Sequence, residues 1–308
     1  MAAQILDGKA LAEHYRSQLA ARVAAVVARG GVVRLDAILV ASGDSAARVY
    51  AENQGKACAQ VGITYKLHEL GSPDQEVGQP VGYDEIAGRV LLLNSMDTVT
   101  ALMLHMPLPE GVEPYSVQRL IDPEKDVEGV NPANIGNIVY GRSSLAPCTA
   151  LAVIKMLEHT GVPLRGKRAV VIGASDVVGK PIAVLLMRKD ATVISCNKWS
   201  EGIAELQRGA DVLIAAAGVP GLIGPEVIKR PTDGGPVVVV DVGVNRIKGT
   251  DGKTRTVGDV QFDAVRAALP DNGWISPVPG GVGPMTVTML LLNVVTAAER
   301  GVGIVAEF

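Results

Sequence analysis

Lys167-Arg168-Ala169-Val170-Val171-Ile172-Gly173-Ala174-Ser175-Asp176-Val177-Val178-Gly179 decides the fold of this 308-residue chain. Residues 167–172 are an apolar run of strand length, 173–179 a turn bounded by glycines, and 181–188 a helical pattern. In that order they make a unit whose helix N-terminus presents free N–H groups and the positive end of a dipole to a pyrophosphate. Ser175 takes the middle position, so the turn departs from G-x-G-x-x-G, and a purely structural strand–helix turn is the alternative reading. Working outward, residues 191–195, 212–216 and 237–242 are further strand-length apolar runs separated by helical segments or turns. That is the layout of a doubly wound dinucleotide-binding domain.

The N-terminal half alternates in the same way. Residues 10–28 have helical spacing with Asp7 placed to cap them, and 35–41 read as a buried strand. The turn Ser42-Gly43-Asp44 follows, then a helix over 45–60 closed by Gly62, and strands over 63–70 and 101–106. Residues 71–82, rich in Gly, Pro and Ser, read as a surface excursion. The alternation predicts βαβ units and a largely parallel sheet. A last helix is expected over 284–300.

Composition narrows the function classes. Hydrophobic residues at 48% against 20% charged support packed cores, and aromatics at 3% leave those cores to Val, Leu, Ile and Ala. A net charge of −3 gives no footprint for nucleic acid. His14, His68, His105 and His159 show no metal-ligand spacing, and neither do the cysteines. Cys58, Cys148 and Cys196 read as free thiols of a cytoplasmic protein rather than a disulfide framework. Asp7, Lys9 and Glu13 interrupt the N-terminus, which is not a secretory signal, and no apolar run approaches the roughly 18 residues of a membrane span.

Near the C-terminus stands Pro279-Gly280-Gly281-Val282-Gly283-Pro284-Met285-Thr286, three glycines and two prolines that let backbone approach a flat ligand. This loop resembles the signature of the bifunctional methylenetetrahydrofolate dehydrogenase/methenyltetrahydrofolate cyclohydrolase family. Further pieces resemble the family in the right order: Ser45-Ala46-Ala47-Arg48-Val49-Tyr50, Leu104-His105-Met106-Pro107-Leu108-Pro109, Glu124-Lys125-Asp126-Val127-Glu128-Gly129, the variant turn at Gly173 and Asp241-Val242-Gly243-Val244-Asn245. The resemblance implies a two-domain α/β protein. A folate-binding domain over 1–147 and 284–308 is completed by the C-terminal helix, and a Rossmann-type domain covers 148–283. It also implies a tetrahydrofolate substrate and a homodimer. Gly173, Ala174, Ser175 and Val244 would hold the dinucleotide, and the loop from Pro279 through Gly280, Gly281 and Val282 to Gly283 would cover the folate. No acid stands at 195–198 to hold a ribose 2′-hydroxyl. Lys198 there could pair with a 2′-phosphate, favouring NADP while NAD stays possible, or could simply be solvated.

Three positions depart from the family pattern. The family places a catalytic lysine four residues after the tyrosine, where this chain has Gln54. Lys56 lies about 200° further round an α-helix and cannot substitute. His105 stands where the family has a glutamine, and Glu128 where an aspartate anchors the pterin. Tyr50, Gln54, His105 and Glu128 are thus the expected catalytic group, with Leu104 and Met106 flanking the substrate. Hydride loss needs alignment, whereas hydration of the methenyl product needs acid–base work that Gln54 cannot do. The expectation is an NADP-dependent methylenetetrahydrofolate dehydrogenase with weak or lost cyclohydrolase activity. Three alternatives stay open: a bifunctional enzyme using His105 as base, an enzyme for another reduced-folate adduct in a demethylation pathway, and a non-catalytic folate or nucleotide sensor.

Overall fold

The computed structural model describes residues 3–40, 45–71, 81–142, 145–228, 237–249 and 252–304; the turn expected at 42–44 and most of the excursion expected at 71–82 lie outside them. The chain forms two compact units, Met1–Glu13 with Thr149–Thr288, and His14–Cys148 with Met289–Phe308.

In the first unit the long β-branched runs pair into one six-stranded sheet. Its spatial order is Gln4–Ile5, Trp274–Ile275, Val238–Asp241, Val212–Ala215, Arg168–Ile172, Thr192–Cys196. Every pairing is parallel. Such strands are covered on both faces, which is why they read as continuous apolar runs. Val170, Ile172, Leu213, Val239 and Ile275 form the core with Ile223, Val260 and Val265. Thr192–Cys196 and Val212–Ala215 flank Arg168–Ile172 on opposite sides. The strand order therefore reverses at Arg168–Ile172, the point where ligands bind open α/β sheets. The first thirteen residues group with this unit, where Gln4–Ile5 adds in parallel to Trp274–Ile275 at the sheet edge.

The second unit has a three-stranded parallel sheet ordered Thr64–Leu70, Arg34–Val40, Ala101–Leu104. Ile38, Val40, Leu70 and Leu104 pack with Ile86 and Val90 of the helix Tyr83–Asn94. A fully buried carboxylate, Asp36, takes a forked pair from Arg34 at 2.6 and 2.7 Å. The helix Gly8–Ala28 starts as its sequence predicts, with Asp7 Oδ1 accepting the N–H groups of Lys9 and Ala10 at 2.9 and 3.2 Å.

The C-terminal helix Val282–Gly301 is long and apolar enough by length and composition to cross a membrane, contrary to the sequence reading, yet 78% of its apolar window is buried inside the protein. It is a core helix. Its Asn293, fully buried, donates both amide hydrogens to backbone oxygens, Val127 O at 2.8 Å and Ala146 O at 2.9 Å. Removing that amide takes the donor from Ala146 O and leaves Val127 O with only the weak Cys148 S–H at 3.2 Å, which costs about 1–3 kcal/mol. Asn293→Ala is therefore expected to lower unfolding stability by about 2 kcal/mol in urea. An unchanged midpoint would show that these bonds contribute nothing net.

Candidate active site

Helix Ser45–Gln60 supplies two residues one turn apart, Tyr50 and Gln54, on one face. Tyr50 is half exposed, Gln54 is 2% exposed and Lys56 points to solvent, as the helical phase requires. Neither Oε1 nor Nε2 of Gln54 has a hydrogen-bond partner among the described residues. A buried amide left unpaired costs free energy of order 1–3 kcal/mol, so it marks a place for a ligand group or water.

The strand Ala101–Leu104 delivers the next group. His105 continues the ladder by donating its backbone N–H to Ile38 O at 2.8 Å, and the Met106–Pro107 peptide is cis. Leu104 and His105 are buried while Met106 is exposed. Burial holds the His105 imidazole down at about 4, so the ring is neutral at physiological pH. It stands in a T-shaped arrangement with the Tyr50 ring, with centroids 5.9 Å apart and planes at 84°.

The run 124–129 divides its labour. Lys125 Nζ donates to Asn94 O and Met96 O at 2.7 and 2.9 Å, which fixes the turn rather than a ligand. Asp126, fully buried, accepts from Gly129 N, Asn131 N and Asn134 Nδ2 at 3.1, 2.7 and 2.9 Å. Gly129 has φ +68°, and a Cβ there would lie 2.4 Å from the Ala146 carbonyl carbon. Glu128 is left to face the site, with Oε2 accepting Leu104 N–H at 3.3 Å. Burial pushes its carboxyl up to about 7, the Leu104 N–H pulls it back, and Asp126 adds a smaller upward push. Tyr50 is raised by burial and then by the Glu128 charge. The structure thus brings Tyr50, His105, Leu104 and Glu128 together, with Gln54 one helical turn from Tyr50.

In the other unit, the turn after Arg168–Ile172 is built on close backbone approach. Gly173 has φ +112°, and a Cβ would lie 2.1 Å from Ala216 O; one on Gly179 would lie 1.9 Å from Gly173 O. Ala174 and the exposed Ser175 follow, Ser175 O accepting Lys180 N–H at 3.0 Å. Lys198 is exposed at the end of the neighbouring strand with Nζ 4.9 Å from the Trp199 ring centroid. Asp190 sits before that strand, paired with Arg165 at 2.8 Å, at the end away from Gly173. Val244 is 68% exposed. A bare turn at the strand-order reversal fits a dinucleotide pyrophosphate, with Lys198 beyond the next strand.

Two buried carboxylates, Asp241 of the motif quoted above and Asp259, hold the loops beside this turn. Asp241 accepts from Gly243 N, Asp259 N and Val260 N at 2.9, 3.1 and 2.9 Å. Burial still pushes it up to about 6. Asp259 accepts from Ala217 N, Gly218 N and Asn245 Nδ2 at 2.7, 2.9 and 2.9 Å. In the loop 279–283 the Val278–Pro279 peptide is cis and Gly280 has φ +112°. Pro279 and Gly283 are exposed and Gly280 is partly so. Gly281 and Val282 are buried, and a Cβ on Gly8 would lie 1.7 Å from Gly281 O.

Residues 147–302 match the NAD(P)-binding domain of tetrahydrofolate dehydrogenase/cyclohydrolase, and residues 6–128 match its catalytic domain. The bifunctional protein FolD of Polynucleobacter asymbioticus is 41% identical over 97% of this chain and 99% of its own length. Campylobacter jejuni FolD, a bifunctional methylenetetrahydrofolate dehydrogenase/cyclohydrolase, has a similar structure with a TM-score of 0.87 and 34% identity, covering 97% of this chain and 100% of that one. The Trypanosoma brucei N5,N10-methylenetetrahydrofolate dehydrogenase-cyclohydrolase, solved with NADP and an inhibitor, gives 0.85 and 33%, covering 98% and 99%.

The raised Glu128 carboxyl has a signed consequence for stability. A carboxyl whose folded value lies above its ordinary 4.5 favours folding fully below 4.5, and that contribution is lost as pH rises through about 7. Glu128→Gln removes the ionisation. Between pH 5 and 8 the variant should gain on the parent by on the order of 2 kcal/mol in urea unfolding. Parallel pH curves would contradict the assignment.

Proposed function

Because the chain belongs to the tetrahydrofolate dehydrogenase/cyclohydrolase family, we propose that it oxidises 5,10-methylenetetrahydrofolate to the 5,10-methenyl cation with NADP and hydrates that product weakly or not at all. The observation that carries this reading is Gln54, buried one turn from Tyr50 with both amide atoms unpartnered among the described residues. An amide donates and accepts hydrogen bonds but takes up no proton near neutral pH.

The two half-reactions ask different things of these residues. Oxidation removes hydride from a carbon flanked by two nitrogens, whose lone pairs stabilise the cation. NADP supplies the hydride acceptor when bound. The protein's part is alignment: Tyr50 packs on the folate, Glu128 accepts hydrogen bonds from the amino-pyrimidine edge, and Leu104 and Met106 flank it. Gly173, Ala174 and Ser175 would receive the pyrophosphate, Val244 would lie by the nicotinamide, and Lys198 would meet the 2′-phosphate. Hydration adds water to the cation and releases a proton as the ring opens, so it needs a group that titrates. Gln54 does not, and the His105 imidazole at about 4 is a weak base at pH 7. That weighs against the bifunctional alternative.

The test is turnover of 5,10-methylenetetrahydrofolate with NADP and then NAD, following reduced nicotinamide, methenyl and formyl products separately. Reduced cofactor with accumulating methenyl product is expected; formyl product above the spontaneous rate sinks the proposal. Gln54→Lys should raise hydration at least about tenfold, a floor below the roughly 10²–10⁴-fold that a well-positioned acid–base group contributes. For the cofactor, Lys198→Ala should raise KM for NADP about threefold to fivefold and leave NAD unchanged, since an exposed ion pair contributes up to about 1 kcal/mol. Equal effects on both cofactors would remove the 2′-phosphate role.

A further inference from the structure

We propose that Tyr65 is a positioning residue for His105, reaching it through an opening that Gly55 leaves in the helix Ser45–Gln60. This rests on the reading that His105 stands at the reacting end of the folate site. Glycine in a helix interior costs about 1 kcal/mol against alanine, so Gly55, immediately after Gln54, calls for a packing reason. The structure supplies one. A Cβ on Gly55 would lie 2.9 Å from Cδ1 and 3.2 Å from Cε1 of Tyr65, so the ring occupies the space a side chain would need. Tyr65 stands on the strand Thr64–Leu70 opposite Leu35, and its hydroxyl reaches to 3.3 Å from His105 Nε2. The imidazole is therefore held from two sides, by the Tyr65 hydroxyl at one nitrogen and by the Tyr50 ring in a T-shaped contact.

The chemistry of the contact sets the tautomer. Burial raises the Tyr65 phenol and keeps the His105 ring neutral, so neither partner is charged. Between a phenol and a neutral imidazole, the phenol is the better donor and the bare ring nitrogen the better acceptor. Tyr65 O–H donates to Nε2, which leaves the ring proton on Nδ1. His105 then offers the substrate a fixed donor N–H, a positioning task that suits a site built for alignment.

The test reads His105 directly in ligand-free protein by imidazole nitrogen NMR, with His105→Gln assigning its resonances. The native ring should show an acceptor Nε2 and a protonated Nδ1. Tyr65→Phe, which keeps the ring and loses only the hydroxyl, should shift Nε2 and mix the tautomers. Gly55→Ala should do the same with the hydroxyl still present, by displacing the ring. In turnover of 5,10-methylenetetrahydrofolate with NADP, Tyr65→Phe should raise KM about threefold to tenfold, with kcat changed less than about twofold, the range of one hydrogen bond. In a His105→Phe background it should add nothing further. A His105 spectrum untouched by both substitutions overturns the proposal, as does an equal KM effect of Tyr65→Phe with and without His105. Were the protein to show no dehydrogenase activity, the reading of the site would fail, while the spectra would still decide the Tyr65–His105 contact.

Discussion

The three hydrogen bonds that Asp126 accepts in a place without solvent exposure hold the substrate-side turn in its shape. A carboxylate buried there without them would cost several kcal/mol, and a turn without the carboxylate would leave backbone N–H groups orphaned. Each need answers the other, so the chain from 126 to 134 has little freedom. Glu128 inherits its place from that rigidity, close enough to Leu104 for a hydrogen bond. Asp241 and Asp259 solve the same problem beside the dinucleotide turn. There Gly243 and Gly258 could not carry a Cβ, which would lie 2.1 Å from Asp259 Oδ1 and 1.9 Å from Asp241 Oδ2.

The same low polarity that makes those bonds strong also sets the character of the folate side. His105 is kept neutral, Glu128 is pushed towards neutrality, and Gln54 has no charge to lose. A site of this kind can orient a substrate and leave a hydride transfer to its own electronics, because the substrate's nitrogens stabilise the cation that the departing hydride leaves behind. Moving a proton from water asks for a group whose charge changes easily, and desolvation works against that at His105. On the proposed reading, the loss of one activity follows from a physical asymmetry between the two steps.

How much of this could be read from sequence depends on where each contact is made. The helix 45–60 and the four longer strands of the large sheet were legible within a residue or two, since buried parallel strands and capped helices leave local patterns. The positive φ of +84° at Gly62 was legible for the same reason. The two-residue strands Gln4–Ile5 and Trp274–Ile275 were not, because their length comes from an edge partner and not from their own periodicity. The helix Cys148–His159, with residues 150–154, Met156 and Leu157 buried, is a short apolar run whose type periodicity alone does not decide. In the site, the phase of Gln54 against Lys56 follows from helical geometry alone. The burial of Gly281 and Val282 does not, because it depends on the packing of Gly8 against the loop. Tyr65 was illegible for a similar reason, its partner lying 40 residues on.

That last contact also changes how the departures at 54 and 105 are understood. Taken singly, a glutamine for a lysine and a histidine for a glutamine look like two independent losses. In the structure they adjoin a mid-helix glycine and a tyrosine whose ring fills the glycine's space and whose hydroxyl meets the histidine. A side chain at 55 would push the Tyr65 ring away from the helix, and His105 would then keep a buried nitrogen without its partner. Gly55, Tyr65 and His105 therefore constrain one another. A site that had merely decayed would have no reason to retain such a fit, whereas one reshaped for alignment without acid–base work would need it.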